Sequence, residues 1–273
     1  MIMPKESDIS RLYTQAAPKG NRIPNVVYQT WKIPRLPSLH ALGVKRFRKL
    51  NPDYGFSFFD DKAMDDYMTG NYAGHPILDV YKAIWVPAMR ADIWRYCVLF
   101  REGGIYCDID SALSIPFREL LSENPSEMLS FEGNKWADNL ELGKYADPAI
   151  FLDGPSPAAR KKLDFPENAI LNWLLCFEKG HPILGELIDL IVRHFGFFKD
   201  KVFPSVHQVG VHCTGTEALT QAVWMWADKA DRRPAQCGID FKGYGLYKLD
   251  DSDKRYAVSP RFSSFSNTSV TKH

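Results

Sequence analysis

Residues 89–111, MRADIWRYCVLFREGGIYCDIDS, constrain this chain more than any other stretch. They read as an amphipathic helix, a glycine turn and a β-strand that ends in two carboxylates, Asp108 and Asp110. Gly103-Gly104 tolerates the left-handed dihedrals needed where a helix stops. Side chains alternate along a strand, so residues two apart face the same way. Ile109 is therefore expected in a core, with Asp108 and Asp110 projecting together beyond the strand. Two ionised carboxylates so placed repel unless a cation lies between them. Oxygen ligands on one side, with room for phosphate oxygens on the other, suit a hard divalent ion such as Mn²⁺ or Mg²⁺. Asp-x-Asp alone is more often a solvated turn, and it is the glycine turn and apolar Ile105-Tyr106-Cys107 that argue for a ligand site.

The helix before this strand turns Ile93, Tyr96, Cys97, Val98 and Phe100 toward a core while also carrying Arg90, Asp92 and Arg95. Asp92 and Arg95 are three apart and share a helix face. They form either a surface ion pair or one wall of the cleft that holds the two aspartates.

Val26-Val27-Tyr28 is expected as the first buried strand and Leu39–Leu50 as a helix ending at the Asn51-Pro52 turn. Phe56–Phe59 is expected as a second strand and Asp61–Met68 as a helix. Pro87 suits the first turn of the helix before the aspartates. Phe131-Glu132 and Ala149–Leu152 are expected as further strands, and Ile183–Phe195 and Thr216–Ala227 as amphipathic helices. Strands alternating with helices imply an α/β fold with a mainly parallel sheet and its ligand site at the strands' carboxyl ends. With 273 residues, 45% of them hydrophobic, the chain can bury a full core. Residues 1–273 are expected to form one domain, with 1–20 a polar, peripheral segment.

A net charge of +1 gives no general attraction for nucleic acid. The basic run Lys45–Lys49, interrupted by Phe47, reads as a solvated helix face rather than a lipid-docking surface. Five cysteines, Cys97, Cys107, Cys176, Cys213 and Cys237, are widely spaced without a CxxC pair, which argues for reduced, buried thiols. There is no signal-peptide core and no apolar run of the roughly 20 residues a membrane span needs. A cytoplasmic location follows as the expectation, with at most peripheral membrane contact through Gly196–Lys199.

The stretch ADIWRYCVLFREGGIYCDID resembles the signature of glycosyltransferase family 32, the transferases with a DXD-containing sugar-binding region. Three further segments are similar in the family's order: IPNVVYQTWK at Ile23–Lys32, NPDYGFSFFDD at Asn51–Asp61 and NWLLCFEKGHPIL at Asn172–Leu184. The family has His where this chain has Tyr28, and its late His or Ser-Trp motif has no clear equivalent in the C-terminal YAVSPRFSSFSNTSVTKH. Golgi members carry a membrane anchor, so its lack here points to a bacterial or viral source.

The resemblance implies a GT-A nucleotide-diphospho-sugar transferase fold. It also implies metal-dependent, retaining transfer of a hexose from a UDP- or GDP-sugar to a glycan or glycolipid acceptor, in polysaccharide or glycoconjugate synthesis. Asp110 would then bind Mn²⁺ directly, and Asp108 through water or the donor's ribose and sugar hydroxyls. Asp92 and Arg95 would hold the transferred sugar, and Tyr106 the nucleotide. Tyr28, Gln29, Thr30 and Trp31 follow the first strand, where this fold cradles base and ribose; Trp31 is read equally as a stacking platform and as core. Asn172 is the candidate for the sugar or acceptor side, or a helix cap. His212, in VHCTG, is the candidate metal or diphosphate contact, and His181 serves packing. A metal-dependent phosphoester hydrolase and an inactive glycan- or sugar-nucleotide-binding relative are the alternatives.

Overall fold

The computed structural model describes residues 6–8, 21–135, 154–203, 206–247, 268–269 and 271. β-Branched and aromatic residues suit a pleated, buried surface, and after β1 (Glu6–Asp8) they build β2 (Val26–Thr30). A short β3 (Arg35–Pro37) leads into α1 (Ser38–Leu50), and the Asn51-Pro52 turn into β4 (Gly55–Phe59). The Asp60 side chain then caps α2 (Asp61–Asn71) by accepting from Ala63 N at 2.8 Å. α3 (Pro76–Ala83), which the spacing does not announce, precedes α4 (Pro87–Glu102).

Gly103 and Gly104 lie at φ +70° and +112°, and any Cβ there would stand 2.6 Å from Lys179 N and 2.8 Å from Val26 O. Only glycine lets α4 reverse so tightly into β5 (Gly104–Cys107). β6 (Ser111–Leu113), α5 (Phe117–Leu120) and β7 (Glu127–Lys135) follow. After residues 136–153 come α6 (Pro157–Arg160), β8 (Asn168–Ile170), β9 (Leu174–Phe177) and α7 (Pro182–Phe198). The remaining elements are β10 (Val202–Phe203), α8 (Val206–Cys213), α9 (Thr216–Lys229), β11 (Gln236–Ile239), β12 (Gly245–Tyr247) and β13 (Thr268–Ser269). Asp240, Phe241 and Lys242, between β11 and β12, all adopt positive φ and form a left-handed turn.

The main sheet runs β11-β7-β9-β5-β2-β4, with β8 on β7. β4, β2 and β5 are parallel, β9 runs against β5 and β7, and β11 is parallel to β7. Five of the seven strands therefore point the same way, the mainly parallel sheet expected, while β9 and β8 are reversed. Alternation divides the core. Tyr28, Tyr106, Leu175 and Phe131 face α4, α7 and α9 on one side, and Val27, Ile105, Cys176 and Leu174 face α1 and α5 on the other. Strands buried on both faces read as continuous apolar runs, as these do.

One expectation needs correction and one lies outside the described residues. β5 ends at Cys107, so Asp108 follows the strand and Asp110 sits in a turn, closed by Ser111 N donating to Asp108 O at 3.1 Å. Turn geometry, not strand alternation, sets the direction of the two carboxylates. Ile109 is buried as expected, in a small cluster with Leu36, Ala41 and Val44. The helix read over Ile183–Phe195 extends to Phe198, whose ring is fully buried, as the favoured reading of this end as core packing expects, while Gly196 and Lys199 are exposed. The strand expected at Ala149–Leu152 falls outside the described residues. Phe47 is buried while Lys45, Arg46 and Lys49 stay exposed, the solvated face predicted for α1. All five cysteines are buried and unpaired, and no helix among the described residues is long and apolar enough to cross a membrane.

Candidate active site

The carboxyl ends of β2, β4 and β5 share one edge of the sheet, and α4 begins there because it runs back toward the start of β5. Its first two turns therefore deliver Asp92 and Arg95 to the end of β5. Arg95 is the hub. Its Nη2 lies 3.4 Å from Asp92 and 3.3 Å from Asp108, and its Nη1 donates to the Asn172 carbonyl at 2.9 Å. The guanidinium also stacks over the Tyr106 ring at 4.1 Å. The Tyr106 hydroxyl donates in turn to Asp108. On the far side of Asp92, Thr214 Oγ1 donates to its Oδ2 at 3.0 Å. The backbone of the aspartate turn is pinned by Asp108 N donating to Trp173 O at 2.8 Å, beside Asn172.

These contacts decide between the two readings of Asp92 and Arg95. A surface pair would be solvated and worth little, but both residues are buried and both face Asp108 or its neighbours. Burial works against the Arg95 charge, yet Tyr106, Asp108 and Asp92 around it outweigh that and keep the guanidinium charged. Burial pushes Asp92 up to about 7, with Arg95 and Thr214 pulling it back. Asp108 is raised first by burial and further by the neighbouring Asp110 charge, against the pull of Arg95. Tyr96, buried on the same helix, is raised by burial and by Asp92, and its hydroxyl faces the Asn172 side chain. Asp92, Arg95, Tyr106, Asp108 and Asn172 thus form one connected cluster.

Asp110 is half-buried and makes no hydrogen bond or ion pair with the described residues. Its charge destabilises that of Asp108, a conflict that a cation between them would relieve. Two carboxylates are oxygen donors of the kind that Mn²⁺ or Mg²⁺ takes. Among the described residues no three His, Cys, Asp or Glu side chains converge as a metal site. His212, buried in α8, does not join the two aspartates in such a group. Were a metal to bind here, the Asp108–Asp110 turn would supply its carboxylate oxygens.

The segment after β2 divides. Tyr28 packs in the core against Phe59, with its ring over Gly104, at the opposite end of β5 from Asp108. Its ring lies on the core side of the strand. Burial and the Glu102 charge push its hydroxyl up to about 12. Thr30 donates to Phe59 O at 2.7 Å and so ties β2 to β4, while Gln29 is buried. Trp31 is half-buried against the Ile109 cluster and 5.8 Å from His40, beside the aspartate turn. Of the four, Trp31 is the one placed to reach a ligand on that turn.

Sequence reasoning missed Thr214 as the partner of Asp92, although VHCTG marked the segment. It also missed Glu127, a buried carboxylate bound by Arg232, His181, Ser126 and Ala235 N. There His181 Nδ1 accepts from Ile183 N at 3.3 Å, so Nε2 is the nitrogen that donates to Glu127 at 2.8 Å. The Gly-His-Pro segment therefore caps α7 and locks it to β7, the packing role expected of His181.

Comparison with known proteins adds an independent line. The family described as "Glycosyltransferase sugar-binding region containing DXD motif" matches residues 37–127. The chain is 29% identical over 198 residues to the initiation-specific alpha-1,6-mannosyltransferase of Candida albicans, covering 69% of this chain and 48% of that protein. It is 30% identical over 197 residues to the enzyme of the same description from Schizosaccharomyces pombe, covering 70% of this chain and 44% of that one. It thus spans less than half the length of either relative. Both are fungal, which lends no support to a bacterial or viral source. Among solved structures it is similar to the PaToxG glycosyltransferase, with a TM-score of 0.47 at 18% identity, covering 74% of this chain and 69% of that one.

Proposed function

Residues 37–127 belong to the DXD-containing glycosyltransferase family, and from that premise we propose that this protein transfers a hexose from a nucleotide-diphospho-sugar to a glycan or glycolipid acceptor. The mannosyltransferase relatives make mannose the first sugar to try, with GDP and UDP both tested as the carrier nucleotide. The observation that carries the reading is the convergence of Asp92, Tyr106, Asp108 and the Asn172 carbonyl on the single Arg95 guanidinium. A family motif alone would not require its residues to meet.

Within this reading each residue has a physical task. Asp108 and Asp110 would hold Mn²⁺ or Mg²⁺, which would supply positive charge against the leaving diphosphate. Arg95 stays charged beside that site and, being clamped by Tyr106 and Asn172, needs no reorganisation. Asp92, oriented by Thr214, accepts hydrogen bonds from sugar hydroxyls. Trp31 offers its ring to the base. Transfer with retention is the proposed stereochemistry. A retaining glycosidase would need an acid and a nucleophile on either side of the scissile bond, about 5 Å apart, and Asp108 and Asp110 share one turn on one side.

The test is a thermal-shift screen of GDP- and UDP-sugars with and without Mn²⁺, on wild type and Asp110→Ala, followed by NMR of the product anomer. A Mn²⁺-dependent rise in melting temperature with one nucleotide, lost in Asp110→Ala, is the expected result. No shift with any sugar nucleotide defeats the proposal.

A further inference from the structure

Two carboxyls lie on β7, and their surroundings differ. Glu127 is fully buried and saturated, with Arg232, His181, Ser126 and the Ala235 amide all bound to it. Glu132 is half-buried, and among the described residues its carboxyl meets only Thr216, Oε1 standing 3.1 Å from Oγ1. Saturation marks a structural group. The Glu132 carboxyl keeps hydrogen-bonding capacity that no other described residue takes up.

The backbone explains why Glu132 points where it does. β7 loses its regular register with β8 between Phe131 and Lys135, and an irregularity of this kind re-aims a side chain. Phe131 stays in the core against Phe165, while the next residue turns toward the first residue of α9. Asn168 Nδ2 donates to the Glu132 carbonyl at 2.9 Å, and Leu171 N to Ser130 O at 2.9 Å. This part of β7 therefore runs beside the segment that leads directly to Asn172 and the Arg95 hub. Thr214-Gly215-Thr216 is gripped from both sides, by Asp92 of α4 through Thr214 and by Glu132 of β7 through Thr216. Gly215 between them is held close, since a Cβ there would meet Val211 Cα at 2.9 Å.

Counting hydrogens sharpens the chemistry. The Thr216 hydroxyl has one hydrogen, and its oxygen also contacts the Ile170 carbonyl, which can only accept. A hydrogen given to Ile170 leaves Thr216 to accept from Glu132, which requires a protonated carboxyl; a hydrogen given to Glu132 makes the carboxyl the acceptor. Burial raises Glu132 above the ordinary carboxylate range, against the pull of Thr216. A group that can donate or accept matches a neutral sugar hydroxyl, which can do both. It does not match a diphosphate, whose oxygens need cations or donors.

We infer that Glu132, backed by Thr216, binds a hydroxyl of the acceptor saccharide beside the Asp92–Arg95–Asp108 cluster. This rests on the transferase reading above. Glu132 belongs to β7, separated from the aspartate-bearing β5 by β9, so the donor's metal-bound phosphates and the acceptor occupy different strands of the same sheet edge.

The test measures donor consumption by the whole protein with Mn²⁺ and GDP-mannose or UDP-glucose, with and without methyl α-mannoside as acceptor. Wild type, Glu132→Ala and Glu132→Met are compared. The expected result is an acceptor KM raised about tenfold or more by the lost hydrogen bond, with donor hydrolysis in the absence of acceptor and melting temperature unchanged. Glu132→Met keeps the length without a hydrogen-bonding group and covers the case in which alanine unfolds the chain; a raised acceptor KM in it alone supports the inference. An acceptor KM within twofold of wild type in a folded variant, or donor hydrolysis lost together with transfer, overturns it. No transfer by the wild type from either donor defeats the transferase reading first and the acceptor role with it, an outcome visible before any variant is made.

Discussion

Arg95 and Tyr106 are stacked, guanidinium carbon to ring centre 4.1 Å, and both grip Asp108, one by charge and one by its hydroxyl. The stack fixes the plane in which the guanidinium fork opens. Lysine offers a point charge with no plane. Arg95→Lys is therefore expected to fold while turning over about 100-fold slower, the scale on which a pre-placed electrostatic donor acts. Arg95→Ala leaves the buried Asp92 without its cation and is expected to lose about 3–5 kcal/mol of stability. Urea unfolding midpoints read alongside turnover separate the two effects.

Asp110 presents the opposite case, because no described residue depends on it. Asp110→Asn is expected to change stability within about 0.5 kcal/mol, as surface substitutions do. Mn²⁺-dependent nucleotide binding should be lost. Calorimetry with GDP and UDP, in Mn²⁺ and in a chelator, checks this; binding that survives unchanged in the variant would remove Asp110 from the metal's ligands.

Glu127 should govern acid stability. Burial alone would raise it, but hydrogen bonds from Arg232, His181, Ser126 and Ala235 N hold it below its ordinary value of 4.5. A depressed carboxyl contributes stability that is complete above its unfolded value and disappears as pH falls toward the folded one. Wild type is therefore expected to exceed Glu127→Gln in melting temperature at pH 6, with the gap closing as pH drops below 4.5. A gap that stays constant with pH would mean the network acts without the charge.

Asp92 should give the reverse slope in metal-free protein. Its value rises from 3.8 to about 7, so the folded state holds the proton more tightly than the unfolded chain does. The stability it contributes is present in acid and falls as pH climbs between those two values. Relative to Asp92→Asn, wild type should lose stability from pH 4 to pH 7 and level off above. Chemical denaturation at several pH values reads it directly.

Local patterns were legible where a single segment carries its own instructions. β-Branched and aromatic runs marked β2 and β4, the proline and paired glycines bounded α4, and three-residue spacing put Asp92 and Arg95 on one face. The direction of Asp108 and Asp110 was not legible, because a turn closed by Ser111 rather than strand pleat sets it. Strand alternation puts Tyr28 and Thr30 on one face without saying which face the core claims. Thr214 and Glu132 act through partners 122 and 84 residues away in sequence, and no local pattern encodes such distances.

The reversed β9 also dictates an order of assembly. β4, β2 and β5 can zip as soon as residue 107 is made, whereas β7 reaches them only through β9, which is synthesised 39 residues after β7 ends. Until Leu174–Phe177 slots in, the edges of β5 and β7 that β9 joins stand unpaired. Closing that four-residue wedge places Asn172 under Arg95 in the same movement, so the hub and the sheet become complete together.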